Sequence, residues 1–288
     1  MKALITFFTA LFFYSTALGD CADNILSAFP SGNTIKQNSI FVLNEYAWNA
    51  KIIKGLNQQY PIYLKCGDEK IKLIVKEIHV GQFNESQAIV FPEKQLVDGH
   101  EYTMCIDNLP EGEALKRFNE QTQVYEPIVY KVSHGKDILK PIIASSPELI
   151  DKTYKRFGCG PSAFAVFKYS VIDSSEIIVK VKLKNVKNGD EKIYYVEASE
   201  GNICVGYSMC SGAFHFDDGI YYNVTFSFMD ASGNIIDWDD DIGFFKPMDA
   251  TELVFEIGTW VLLTGFSFGL IFIGYKIFRR VAKKKSKV

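Results

Sequence analysis

The 288-residue sequence has few of the groups from which active sites are usually built. Its only four histidines, His79, His100, His134 and His215, form no HxH or HExxH pair, so the common zinc-hydrolase patterns are excluded and each reads as a surface or turn residue. No phosphate-binding glycine loop occurs. The stretch Gly206-Tyr-Ser208-Met-Cys210 begins like a nucleophile elbow but lacks the closing glycine and any surrounding strand–helix alternation. Charge is unevenly spread, and acidic residues outnumber basic ones in the body of the chain. Lys2 and the run Lys276, Arg279, Arg280, Lys283, Lys284, Lys285 and Lys287 lie at the ends, whereas all 34 acidic residues fall between Asp20 and Glu256. So acidic a body is repelled by phosphodiester backbones, which excludes a nucleic-acid partner. The reading is non-enzymatic, with no catalytic or cofactor-binding residue expected.

The two ends predict topology. Met1-Lys2, the apolar run Ala3 to Tyr14 and the Ala17-x-Gly19 pattern read as a signal peptide over residues 1–19, cleaved before Asp20. Ile257 to Tyr275 carries no charge, and as a helix it would span about 28 Å, close to a hydrocarbon core. Trp260 and Tyr275 sit near its ends and the cationic run follows it, so a transmembrane helix within 251–275 and a basic cytoplasmic tail over 276–288 are expected. Gly265 and Gly269 form a small-xxx-small pair suited to a helix-mediated homodimer. This predicts a single-pass protein of the cell membrane, its body periplasmic or at the cell surface.

Between the ends, short alternating runs predict antiparallel strands. Ile71, Leu73 and Val75 alternate with lysines, and so do Ile177, Val179, Val181 and Leu183. Asn188-Gly189 is a hairpin signal before Ile193–Val196, and Asp230-Ala-Ser-Gly-Asn234 separates the run Tyr221–Met229 from Ile235 onward. An internal echo organises these runs. Leu96-Val-Asp-Gly-His-Glu-Tyr102 and Phe216-Asp-Asp-Gly-Ile-Tyr-Tyr222 share the form apolar-x-Asp-Gly-x-x-Tyr, each followed by a β-rich run. In β-sandwiches a tyrosine so placed folds back on the preceding turn as a tyrosine corner, with the apolar residue beneath it. The fold expected is all-β: one sandwich over 20–135, a second over 136–250, a break at Ser133–Pro141, and then the C-terminal transmembrane helix.

With Pro30-Ser-Gly-Asn33, Ile35, Asn38–Leu43, Ile89–Pro92 and the Leu96…Tyr102 corner, the first copy resembles bacterial Ig-like domains of the SbsA type. The second resembles them through its corner and its Asp-Ala-Ser-Gly-Asn turn. The resemblance implies a non-catalytic spacer or adhesive module without naming its ligand. It also implies that disulfides Cys66–Cys105 and Cys159–Cys210 join segments that Ig topology brings close, with Cys204 as apolar filler and Cys21 in a frayed N-terminus.

Three further features bear on function. Asp237, Asp239 and Asp241, with Asp217-Asp218 nearby, are the best candidates for calcium, though a solvated edge that resists edge-to-edge pairing is the favoured reading. Pro110–Gln123 is longer than a hairpin needs, so it reads either as a binding loop or as a mobile insert, with a helical turn at Ala114–Phe118. The function expected is an extracytoplasmic interaction, adhesion or scaffold module with a protein or glycan partner. The alternative is an accessory or hydrolytic protein acting on envelope polymers, with Glu111, Glu113 and Glu120 near a groove.

Overall fold

The computed structural model describes residues 25–46, 51–157, 160–199 and 201–247. The first half contains β1 (Ile25–Phe29), β2 (Thr34–Ile35), β3 (Phe41–Tyr46), β4 (Ile62–Cys66), β5 (Glu69–Val80), β6 (Ser86–Pro92), β7 (Glu101–Ile106), β8 (Lys116–Asn119), β9 (Val124–Pro127) and β10 (Val129–Val132). All but β8 and β9 join one sheet in the order β1-β3-β6-β5-β4-β7-β10-β2. Its hinge is β5, which pairs with β4 through Ile71 and with β6 through Val80, and has a register break between Val75 and Glu77. The break shifts the alternation. Ile71 and Leu73 are fully buried, whereas Ile78 and Val80 beyond it reach solvent.

The second half contains β11 (Ile142–Phe157), β12 (Gly160–Ile172), β13 (Ile177–Asn185), β14 (Glu191–Glu197), β15 (Asn202–Tyr207), β16 (Tyr221–Asp230), β17 (Ile235–Asp237) and β18 (Ile242–Phe245). A three-stranded sheet, β11-β12-β15, faces a five-stranded one in which β13 and β16 are central and β14, β17 and β18 flank them. Phe167, Val181, Val205 and Phe226 meet in its core.

The halves do not sit apart. A third apolar cluster lies at their joint, with Phe29, Val42 and Ile89 from the first half against Ile178, Tyr195, Met229 and Ala231 from the second. Strand β3, and β13 at its start, therefore bury both faces: Leu43 and Val179 point into their own cores, Val42 and Ile178 into the joint. Each such side chain contributes roughly 1.5–3 kcal/mol on full burial. Both halves belong to one compact unit that ends at Pro247.

The two corners share one geometry. The Val97 amide donates to the Tyr102 hydroxyl at 3.3 Å, and the Asp217 amide to the Tyr222 hydroxyl at 2.7 Å. Leu96 and Phe216 lie buried beside them. Gly99 and Gly219 supply the left-handed step that turns each chain back, at φ +72° and +69°.

Four expectations are corrected. First, the described chain is β throughout apart from a 3-10 turn at Ile53–Gly55, and no described helix is long and apolar enough to cross a membrane. The architecture that ended in a transmembrane helix is therefore not what is found. Residues 257–275, with Gly265 and Gly269, lie outside the described residues, as do the signal peptide and the basic tail. Second, Cys66 and Cys105 are free thiols. Cys105 pairs with Tyr63 across β4 and β7. Cys66 lies three residues beyond that pair, about 10 Å along the strand and on the other face, which is too far for a disulfide. Third, Cys204 is also a free thiol, and it is exposed rather than a core filler. Cys21 and Cys159 lie outside the described residues. Cys210 is held in a disulfide, although no two described cysteines are joined. Fourth, no helical turn forms at Ala114–Phe118; β8 instead pairs with β9 as a two-stranded hairpin.

Candidate functional site

Side chains clasp the halves together. The carbonyl oxygen of Gln87 in β6 accepts the Tyr195 amide at 2.9 Å, and its Nε2 donates to the Tyr195 carbonyl at 2.8 Å. The same Nε2 donates to Asn44 Oδ1 at 2.6 Å. Glu176, in the turn before β13, accepts the Ser31 amide at 2.8 Å, the Ser31 hydroxyl at 2.6 Å and the Gly32 amide at 2.6 Å. The Ile40 amide donates to the Ala231 carbonyl at 2.9 Å.

Beside this clasp the halves leave a cleft of about 670 Å³. β3 and the β5–β6 turn contribute Tyr46 and Glu85, and the β8–β9 hairpin contributes Arg117, Phe118 and Tyr125. Opposite them stand Phe164, Tyr194, Glu197 and Cys204. Glu85 is 3% exposed, and the one hydrogen bond its carboxylate accepts among the described residues is from the Gly212 amide to Oε1, at 2.6 Å. Burial pushes its carboxyl up to about 7. Burial also raises Glu197, with Glu176 adding to the effect and Arg117 opposing it. The phenols of Tyr46 and Tyr194 are raised too, mainly by desolvation and secondarily by Glu85. The Tyr194 hydroxyl is buried without a hydrogen-bond partner. Phe118 and Tyr125 form a partly exposed aromatic pair at the hairpin, with ring centroids 5.2 Å apart.

Metal-ligand geometry falls elsewhere than the sequence suggested. Among the described residues, the trio whose carboxylate oxygens gather within 4.8 Å is Asp137, Asp173 and Asp230, not Asp237, Asp239 and Asp241. This trio lies where the linker meets the β12–β13 and β16–β17 turns, and local donors already serve it. Leu139 N and Ser174 Oγ donate to Asp137, Ser175 to Asp173, and the Ser232 and Asn234 amides to Asp230. Desolvation raises Asp230, and Asp173 adds repulsion. Asp241 accepts from Asn223, and Asp237 pairs with Ser227 at the sheet edge.

Of the long loop, Lys116, Arg117 and Phe118 reach the cleft, while Glu111, Glu113 and Glu120 do not line it. The histidines serve local contacts, such as His134 Nδ1 to Asp98 at 2.6 Å and His79 Nε2 to Glu77 at 3.0 Å. The residues that sequence reading missed are Tyr46, Glu85, Tyr194 and Glu197. No local pattern marks them, because the cleft exists only once the halves dock. The nearest signal is Asn44-Glu45-Tyr46, polar residues at the end of a run too apolar for a strand with one wet face.

No family model and no curated protein matches the chain. Among solved structures it is similar to a cytokine receptor complex at 6% identity and TM-score 0.24, over 80% of this chain and all of that one. Dimeric latent PorU from Porphyromonas gingivalis gives 11% identity and TM-score 0.27, over 81% of this chain and 20% of that one. The S-layer protein rSbsC gives 13% and 0.23, over 73% and 33%. The chain thus spans a third or less of the latter two. These likenesses are too slight to place it in a family.

Proposed function

We propose that this protein is a non-enzymatic, extracytoplasmic recognition module that takes its ligand in the cleft between the two clasped halves. The observation that carries this reading is the pairing of a rigid joint with an open, polar-tipped cavity. The Gln87–Tyr195 and Glu176–Ser31 contacts fix the walls, and the Tyr194 hydroxyl and Glu85 carboxyl sit in them with hydrogen-bonding capacity to spare. A mainly pre-formed cavity of several hundred Å³ with a few placed polar groups is the usual form of a ligand site. The disulfide at Cys210 supports a location outside the reducing cytoplasm. The tyrosine corners in both halves support the resemblance to Ig-like modules.

Cys204 gives a direct test, because its exposed thiol lines the cleft. In a Cys66→Ser/Cys105→Ser background, a bulky maleimide placed on Cys204 should abolish capture of ligands found on a peptide and glycan array. Ligands retained at full strength by the blocked protein would move recognition elsewhere. A second reading, hydrolysis of envelope polymers, is favoured by one observation only: two carboxyls raised by burial, Glu85 and Glu197, share the cleft. Turnover of peptidoglycan or glycan substrates that is lost in both Glu85→Gln and Glu197→Gln would establish it in place of the first.

A further inference from the structure

We propose that the cleft recognises an organic ammonium group, seated against the Glu85 carboxylate between the phenol rings of Tyr46 and Tyr194. This inference rests on the cleft being the ligand site and names the chemistry that fits it. Glu85 is almost wholly removed from solvent, yet no lysine or arginine among the described residues pairs with it. Its oxygens receive one backbone amide, from Gly212. A buried carboxylate with one hydrogen bond and no counter-charge is costly, and the complement that removes most of that cost is a cation with N–H donors.

The cleft's own guanidinium is committed elsewhere. Arg117 donates to the Pro30 carbonyl at 2.7 Å, to Asn33 Oδ1 at 3.0 Å and to the Tyr130 hydroxyl at 3.1 Å, all within the first half. Glu197 on the facing wall adds a second negative group, with Glu176 behind it. The buried Tyr194 hydroxyl has a free lone pair for an N–H. Tyr46, Tyr194 and Phe164 bring aromatic rings to the same cavity, and aromatic faces attract ammonium groups. An anion would meet two carboxyls. A neutral polyol would satisfy hydroxyls but leave Glu85 uncompensated. The volume of about 670 Å³ admits an alkylammonium chain or the side chain of a peptide lysine.

The test uses the full chain and isothermal titration with n-pentylammonium, with 1-pentanol as the neutral match and Nα-acetyl-lysinamide as the lysine mimic. At pH 8 pentylammonium should bind saturably and 1-pentanol should not. Glu85→Gln, which keeps an acceptor for the Gly212 amide, should weaken binding at least tenfold, and Tyr194→Phe several-fold. Protons should compete: below pH 7 the affinity should fall with pH, Glu85 alone contributing up to about tenfold per pH unit, and so fall more steeply in the wild type than in Glu85→Gln. The other charged groups on the walls, Glu197, Lys116 and Arg117, remain in both proteins and cancel in that comparison. A tighter fit for acetyl-lysinamide than for pentylammonium would assign the ammonium to a partner's lysine, and the reverse order to a free amine. Equal binding of 1-pentanol, or binding indifferent to Glu85→Gln, would overturn the inference. Capture of a neutral saccharide that is blocked at Cys204 would overturn it while leaving the cleft as the ligand site. No binding by any probe, together with array ligands unaffected by the Cys204 block, would overturn both.

Discussion

The side chain of Gln87 stands in for a missing strand neighbour of Tyr195, accepting its amide at 2.9 Å and donating to its carbonyl at 2.8 Å. Tyr195 lies in β14, an edge strand whose outward backbone groups would otherwise be unpaired inside the joint. One amide side chain thus closes a sheet edge and fixes one half to the other.

Gln87→Ala should therefore orphan two buried backbone groups at once, and also the Asn44 carboxamide oxygen. At about 1–3 kcal/mol for each of these three unsatisfied groups, the loss expected is about 3–9 kcal/mol of unfolding free energy, measured by urea denaturation. A loss under about 0.5 kcal/mol would mean that water replaces the clasp without cost.

Glu85 ties stability to pH. Its carboxyl is pushed up to about 7 in the fold against 4.5 when free, so the folded chain holds a proton that the unfolded chain releases. Its contribution is fully present below about pH 4.5 and is lost as pH rises through 7, by at most about 3 kcal/mol. Relative to wild type, Glu85→Gln should therefore gain stability as pH rises from 5 to 8. Parallel melting curves for the two proteins over that range would contradict the assignment.

The two tyrosine corners offer a matched pair. Both Tyr102→Phe and Tyr222→Phe leave the ring in place. The first removes one hydrogen bond and should cost about 1 kcal/mol. The second removes two, because the Tyr222 hydroxyl also donates to Asp217 Oδ2 at 3.4 Å. The larger loss should fall on Tyr222, whose bond from the backbone amide is 2.7 Å against 3.3 Å. The corners sit in separate cores, so the double variant should be additive within about 0.5 kcal/mol. Denaturant titration of the three variants reads all of this. Phe216→Ala, which empties the space under the second corner, should cost about 3–5 kcal/mol.

What the sequence made legible was whatever repeats locally. Ile71 and Leu73, Val179 and Val181 alternate with lysines because one face of each strand is wet. The corners announce themselves because apolar-x-Asp-Gly-x-x-Tyr packs its own turn. What it hid was whatever depends on docking. Val42 and Ile178 break the alternation because a second apolar face is covered by the other half, and a strand buried on both sides loses its period. Glu85 and Tyr194 lie far apart in sequence and meet only across the joint. The Cys66–Cys105 expectation failed for a related reason: closeness of strands is not closeness of residues, and register decides which face each side chain takes.

That register makes the last prediction. Cys66, Cys105 and Cys204 should all be alkylated in the folded, unreduced protein. Exposed Cys204 should react first, because Cys66 and Cys105 are partly covered. Burial raises the thiols of Cys105 and Cys204, so little of either is thiolate at neutral pH. Their labelling rates should climb about tenfold per pH unit from 7 upward, since the thiolate is the nucleophile. Cys210, already in a disulfide, should stay unlabelled until a reductant is added. Peptide mapping after non-reducing digestion checks the pattern, and a linked peptide containing both Cys66 and Cys105 would require β4 and β7 to pair in a different register.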